Sequence, residues 1–210
     1  MKRREFMTSQ ALLAGAVLAG AAQSAEPQET SSALAATTTK PGSGRVRQSV
    51  MGWCFKPMSP LELATHCKRI GIEAMEGIPT TNYDEVTKLG LKISLVSTHG
   101  FATGPLDPDN HAEVEAKLRE AIDVAVQYNV PNVITFTGMK KTGINDQAAR
   151  KNCLDCWKRV VPYAEQQGVG IVLEHLNSVD DTHPMKGHPG YWGDDVHLCA
   201  ELVNEVGSEN

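Results

Sequence analysis

The stretch Gly170-Ile171-Val172-Leu173-Glu174-His175-Leu176-Asn177 sets a carboxylate, an imidazole and a carboxamide directly after a short apolar run. The run, with its β-branched members, reads as a buried strand. An ionisable group at the end of such a strand is costly to bury unless it meets a cation, a proton or a substrate. A glutamate in mostly apolar surroundings can reach a pKa suited to general acid–base work. Glu174 is the candidate base, metal ligand, or both at different stages. The plainer alternative is a carboxylate paired with a core Lys or Arg. His175 should point away from Glu174 by strand alternation and reads as packing.

Further candidates are polar groups that follow apolar runs or sit in the loop after Glu174. Asn177 can orient a substrate or simply form a turn. Residues 178–193 form a loop punctuated by Pro184, Gly187, Pro189 and Gly190, and within it Lys186 and His188 could clamp a small carboxylate. An ordinary solvent loop is the competing reading. His99 ends another apolar run, where it can line a site or serve as a satisfied structural histidine. A zinc site from His175, His183, His188 and Asp180 or Asp181 fits no standard structural spacing. Cys153 and Cys156 form a C-x-x-C, but inside a helical pattern beside Trp157, which favours core packing over redox chemistry.

The elements that must position these groups alternate. Apolar runs at 49–55, 72–78, 91–97, 132–137 and 170–177 read as strands. Ser59, Pro60 and Glu62 open the first helix as N-cap, first helical residue and third residue after the cap, and Gly71 closes it. A short helix follows at 84–89. Asn110, with Glu113 three residues later, can cap a helix whose stripe is Val114, Leu118, Ile122 and Ala125. A fourth helix runs over 145–166 with Pro162 near its end, and a last one starts at Gly193 or Asp194 and passes Val196, Cys199 and Val203. Five strand–helix units of this length predict a parallel sheet with helices outside.

No glycine-rich phosphate loop follows the first strand, and Glu76, His99, Thr137 and Glu174 with Asn177 gather where strands end. Both points favour a (β/α)8 TIM barrel, whose strand ends converge on one mouth. A barrel needs eight units and about five are present, so the sequence reads as part of a longer barrel. The alternative is a complete five-stranded open sheet with apolar edges to manage.

Composition sets outer bounds. The 210 residues are 41% hydrophobic, enough for one domain with a core, and a net charge of -5 gives no reason to expect nucleic acid as a partner. Residues 1–25 combine Lys2-Arg3-Arg4-Glu5-Phe6 with a short apolar core and a small-residue exit, as in a twin-arginine-type signal. This predicts periplasmic localisation, or a cytoplasmic one if the signal is not functional, and no stable membrane span after its removal. Residues 26–44, rich in Ser, Thr, Ala, Pro and Gly, read as a disordered linker, leaving 45–210 as the barrel domain. An oligomer is compatible with all of this.

The segments Val50-Met51-Gly52-Trp53-Cys54-Phe55, Leu173-Glu174-His175-Leu176-Asn177-Ser178 and Met185-Lys186-Gly187-His188-Pro189-Gly190-Tyr191 resemble hydroxypyruvate isomerase and its relatives in the xylose isomerase-like barrel superfamily. The resemblance implies conversion of hydroxypyruvate to tartronate semialdehyde by a pair of glutamates, the first matching Glu174 and the second on an eighth strand beyond this sequence. It also implies a divalent metal, Mg or Mn, with Glu174 as one ligand, and a small hydroxy-keto acid or sugar as substrate. Glu76 matches an inward-facing glutamate of the superfamily. A ketose 3-epimerase, an inositol-pathway dehydratase or a non-catalytic barrel fragment are the alternatives on the same scaffold.

Overall fold

The computed structural model describes residues 46–183 and 186–208. The expected signal and linker therefore lie outside the described residues, as do Pro184 and Met185 of the loop after Glu174.

The expected alternation is present. In order come β1 (Ser49–Met51), α1 (Pro60–Ile70), β2 (Ala74–Glu76), α2 (Tyr83–Lys88), β3 (Lys92–Ile93), α3 (His111–Tyr128), β4 (Asn132–Thr135), α4 (Asp146–Gln167), β5 (Gly170–Leu173) and α5 (Val196–Val206). β1, β2 and β3 pair in parallel in that order, and β4 pairs in parallel with β5. A parallel bridge from Val96 to Val133 joins the two groups, so the five strands follow one another in chain order. Sequential parallel strands with a helix after each are one side of a (β/α)8 barrel.

Sequence signals explain most element ends. The Ser59 hydroxyl accepts the Glu62 N–H at 3.3 Å and Pro60 occupies the first turn of α1. The Asn145 side chain accepts from Ala148 N at 2.9 Å to open α4. The α3 stripe Val114, Leu118, Ile122 and Ala125 is fully buried and packs with Val133, Val160 and Trp157 in one core between strands and helices. α4 continues past Pro162 to Gln167. Cys153 and Cys156 are buried on its inner face as free thiols, and burial pushes both well above the usual thiol range, Cys156 to about 12.

Several boundaries differ from expectation. The first strand ends at Met51 and not near residue 55, because 52–55 turn into a short 3₁₀ helix. Gly52 lies so close to Ile78 that a Cβ there would sit 2.3 Å from its Cγ2. The third strand pairs with β2 over Lys92–Ile93 only, after which the chain crosses to meet β4 at Val96. Asn110 does not cap α3. Its amide donates to Gly104 O at 3.2 Å, and Asp107 instead caps a 3₁₀ turn that leads into the helix. Asp195, one residue later than expected, caps α5, and Cys199 and Leu202 form its buried face while Val196 and Val203 are exposed.

Candidate active site

β5 sets the direction of Glu174. Ile171 and Leu173 line a small apolar gap against Trp157, Val161, Val203 and Val206 of α4 and α5. Alternation then turns Val172 and Glu174 to the opposite face, the interior of the barrel wall. The Glu174 N–H donates to Thr135 O at 3.0 Å as the last direct rung of the β4–β5 ladder. Its carboxylate is half-buried and makes no hydrogen bond among the described residues. Burial raises the Glu174 pKa above the usual carboxylate range. His188 is near enough to pull it back down, and Glu76 near enough to push it up further.

Glu76 reaches this face from the end of β2. The hydroxyls of Ser94 and Ser49 donate to its two oxygens at 3.0 and 3.3 Å. His188 arrives from the loop after β5, half-buried, with its ring edge-on to Phe101 at 4.3 Å between centroids. The structure thus brings Glu174, Glu76 and His188 into one electrostatic neighbourhood at the strand ends.

The other expected residues have different placements. Asn177 is a turn former: its side-chain oxygen accepts from Val179 N at 2.9 Å and its amide donates to Lys186 O at 2.9 Å. Lys186 is exposed and meets Asn177 through its backbone carbonyl. His99 is buried, with Nδ1 at 2.7 Å from Thr103 O and Nε2 at 2.9 Å from Thr135 Oγ1. Two carbonyls beside Nδ1 assign the proton there, so Thr135 donates to Nε2 while accepting Trp157 Nε1–H at 3.0 Å. Burial lowers the His99 pKa, which keeps the ring neutral. Both its nitrogens are occupied in pinning the β3 and β4 ends together. His175 places Nε2 2.9 Å from Asp194 O, away from Glu174.

Tyr191 and Gly104, to which sequence reasoning assigned no role, hold the site together with Thr137, one of the polar residues expected at the strand ends. Tyr191 is fully buried. Its hydroxyl donates to Glu174 O and accepts Thr137 N–H, each at 2.9 Å. The Thr137 hydroxyl accepts Gly193 N–H at 2.9 Å. Gly104 meets Gly138 so closely that a Cβ on Gly104 would lie 2.3 Å from the Gly138 backbone. A Tyr-Trp pair flanked by glycines in a polar loop was the available signal, because a buried phenol must find a partner. A hollow of about 560 Å³ between α4 and α5 does not include Glu174. It is rimmed by charges already paired with each other, Lys140 with Asp194 and Arg150 with Glu205.

No group of three His, Cys, Asp or Glu side chains converges among the described residues. The zinc set around His175 does not assemble there: its ring goes to a carbonyl and Asp180 accepts from Thr182. By themselves the described residues offer a metal fewer than three such ligands at any one place, and Glu174 is a carboxylate with no hydrogen bond among the described residues.

Five sequential parallel β/α units, with Glu76, Glu174 and His188 near their C-terminal ends, define one wall of a (β/α) barrel. The chain belongs to the xylose isomerase-like TIM barrel family, which it matches over residues 64–210. Solved structures with the same fold include 3-keto-D-glucoside 4-epimerase from E. coli, at 14% identity and TM-score 0.56 over 77% of this chain and 64% of that one. The IolI protein with a zinc atom bound matches at 18% identity and TM-score 0.55, over 72% and 56%. D-allulose 3-epimerase from Methylomonas sp., in complex with D-allulose, matches at 19% identity and TM-score 0.54, over 70% and 52%. The chain thus spans between about half and just under two thirds of the length of these structures. Among curated proteins, none matches the chain by sequence.

Proposed function

We propose that this protein is a sugar or keto-acid isomerase in which Glu174 takes a proton from the carbon beside a substrate carbonyl. The observation that carries the reading is the Glu174 carboxylate itself. It is half-buried at the C-terminal end of β5, free of hydrogen bonds among the described residues, and held at a raised pKa by burial and by Glu76. A carboxylate so placed is a stronger base than one in water and has a lone pair to use. Removal of the proton leaves an enediolate. Returning the proton to the neighbouring carbon interconverts aldose and ketose, and returning it to the opposite face of the same carbon epimerises. His188, whose charge lowers the Glu174 pKa, supplies positive charge toward the anionic intermediate when protonated.

Hydroxypyruvate, giving tartronate semialdehyde, is the favoured substrate, on the likeness of the segments around Glu174 and His188 to hydroxypyruvate isomerase. Ketose 3-epimerisation is the second reading, supported by the epimerases among the structures of like fold. A divalent metal, for which the zinc atom in IolI is support, would polarise the carbonyl when bound, with Glu174 as one ligand. The proposal extends to location: residues 1–25 direct export, which a fusion to a reporter that needs folded export tests.

The deciding experiment incubates the full-length protein in deuterated water with hydroxypyruvate and with a panel of ketoses. Deuterium should enter the carbon beside the carbonyl of one substrate class, and Glu174→Gln should abolish it. Absence of exchange in every substrate sinks the reading.

A further inference from the structure

The β4–β5 ladder is interrupted where it matters most. Its register pairs Thr135 with Leu173, and Glu174 N–H donates to Thr135 O. In a parallel ladder the next rung runs from Thr137 N–H to Glu174 C=O. That rung is replaced by the Tyr191 hydroxyl, which accepts the Thr137 N–H and donates to the Glu174 carbonyl, each at 2.9 Å. A phenol oxygen standing between donor and acceptor holds the two strands further apart than a direct bond allows. The splay begins at Glu174, the residue whose side chain projects into the mouth.

The same tyrosine is fastened to the loop that brings His188. Tyr191 N–H donates to His188 O at 3.0 Å, and Trp192 N–H donates to Gly138 O at 3.0 Å. Lys140 N–H donates to Gly190 O at 2.7 Å. Strand β5, the end of β4 and the His188 loop therefore meet at one buried hydroxyl.

We propose that Tyr191 is a positioning residue for the mouth: its hydroxyl, inserted into the β4–β5 ladder, sets how the Glu174 carboxylate and the His188 ring face each other. This rests on the reading of Glu174 as the base. Tyr191→Phe removes the inserted oxygen and keeps the ring. The strand ends then close toward a direct Thr137–Glu174 bond, carrying Glu174 away from its working position.

The test compares wild type, Tyr191→Phe and the control Tyr163→Phe, which removes a hydroxyl that donates to Asp123 on the helical surface. In Tyr191→Phe, kcat should fall roughly ten- to a hundredfold with KM nearly unchanged, the loss expected when a reacting group is displaced by a fraction of an ångström to an ångström. Independently of turnover, the His188 ring Hε1 resonance should shift, since its angle to Phe101 changes, as should the Thr137 amide. The control should alter neither. A purely structural role lowers the melting temperature and leaves kcat per folded molecule and the His188 resonance as they were, and that result overturns the proposal. Should Tyr191→Phe fail to fold, 3,5-difluorotyrosine at position 191 keeps the ring and weakens the oxygen as an acceptor; it should shift the same resonances in the same direction, and unmoved resonances again overturn the proposal. Moved resonances in a wild-type protein that exchanges no substrate proton would remove the isomerase reading and leave the positioning role standing.

Discussion

The two halves of this barrel wall are built differently. β4 and β5 pair over four residues each, whereas β1 and β2 pair over three and β3 contributes two. Each half offers one carboxylate, held in opposite ways. Glu174 has a fixed backbone, gripped by Thr135 on one side and Tyr191 on the other, and an uncommitted side chain. Glu76 stands on a short strand, and its side chain is the part that is tied, by Ser49 and Ser94. A carboxylate that already accepts two hydroxyls is a poor proton carrier and a good fixed negative charge. One with open lone pairs and a raised pKa is the reverse. On the proposed function the two would divide the labour, with Glu174 moving the proton and Glu76 shaping the field around it.

Substitution of the two carboxylates strains this comparison hardest. Glu174→Gln should lower kcat/KM by about 10²–10⁴-fold, the usual weight of a general base. Glu76→Gln, which keeps the size and most of the acceptor pattern, should cost roughly tenfold, the weight of one hydrogen bond to a charged group. Equal losses, measured by solvent deuterium exchange on the same substrate, would erase the distinction.

The joint between the halves comes next. Gly104 follows β3 and Gly138 follows β4, and their backbones touch with no room for a side chain. Gly104→Ala should destabilise by about 1–3 kcal/mol or more, as overpacking does when the neighbour is backbone that cannot swing aside. Denaturant unfolding monitored by Trp fluorescence reads this directly. Thr135→Val should cost about 2 kcal/mol, since it leaves both the Trp157 indole and the neutral His99 ring without their partner. The matching change in the other half, Ser94→Ala, should cost less than about 1 kcal/mol because its bond is only partly buried.

The smallest effect concerns pH and stability. The folded-state pKa of Glu174 is raised, so the folded chain binds this proton more tightly than the unfolded chain does. Its charge therefore opposes folding fully above the folded pKa, and the penalty fades as pH falls through that value. It is gone below about pH 4.3, where the unfolded carboxylate also takes up its proton. Glu174→Gln should melt higher than wild type at neutral pH, with the two curves merging in acid. A gain that persists unchanged at pH 3 would trace to packing and not to charge.

Much of this was readable from residue types, and the rest depended on contacts across the chain. Glu174 stood out because an ionisable group closing an apolar run is costly, a property of one short segment. Ser59-Pro60 and the α3 stripe are likewise local and held. Residues 52–55 read as strand because apolar periodicity does not separate a strand from a tight turn, and the deciding contact, Gly52 under Ile78, comes from another element. Asn110 had the composition of a cap, but its side chain is taken by the Gly104 carbonyl. Tyr191 was given no role beside Lys186 and His188, because its partners are backbone groups at Thr137 and Glu174 that only the fold brings to it. Charged residues announce themselves in a sequence, whereas a neutral hydroxyl acquires meaning only from what the fold sets opposite it.

The turn at Asn177 has a wider implication. His188 N–H donates to Asn177 O at 2.7 Å, and the Asn177 amide holds Lys186 O at 2.9 Å. These bonds close the chain into a noose whose neck is Asn177 and His188. Doubling the length of such an excursion adds only about 0.6 kcal/mol of closure entropy, so the stretch between Asn177 and His188 can change length while this neck stays closed.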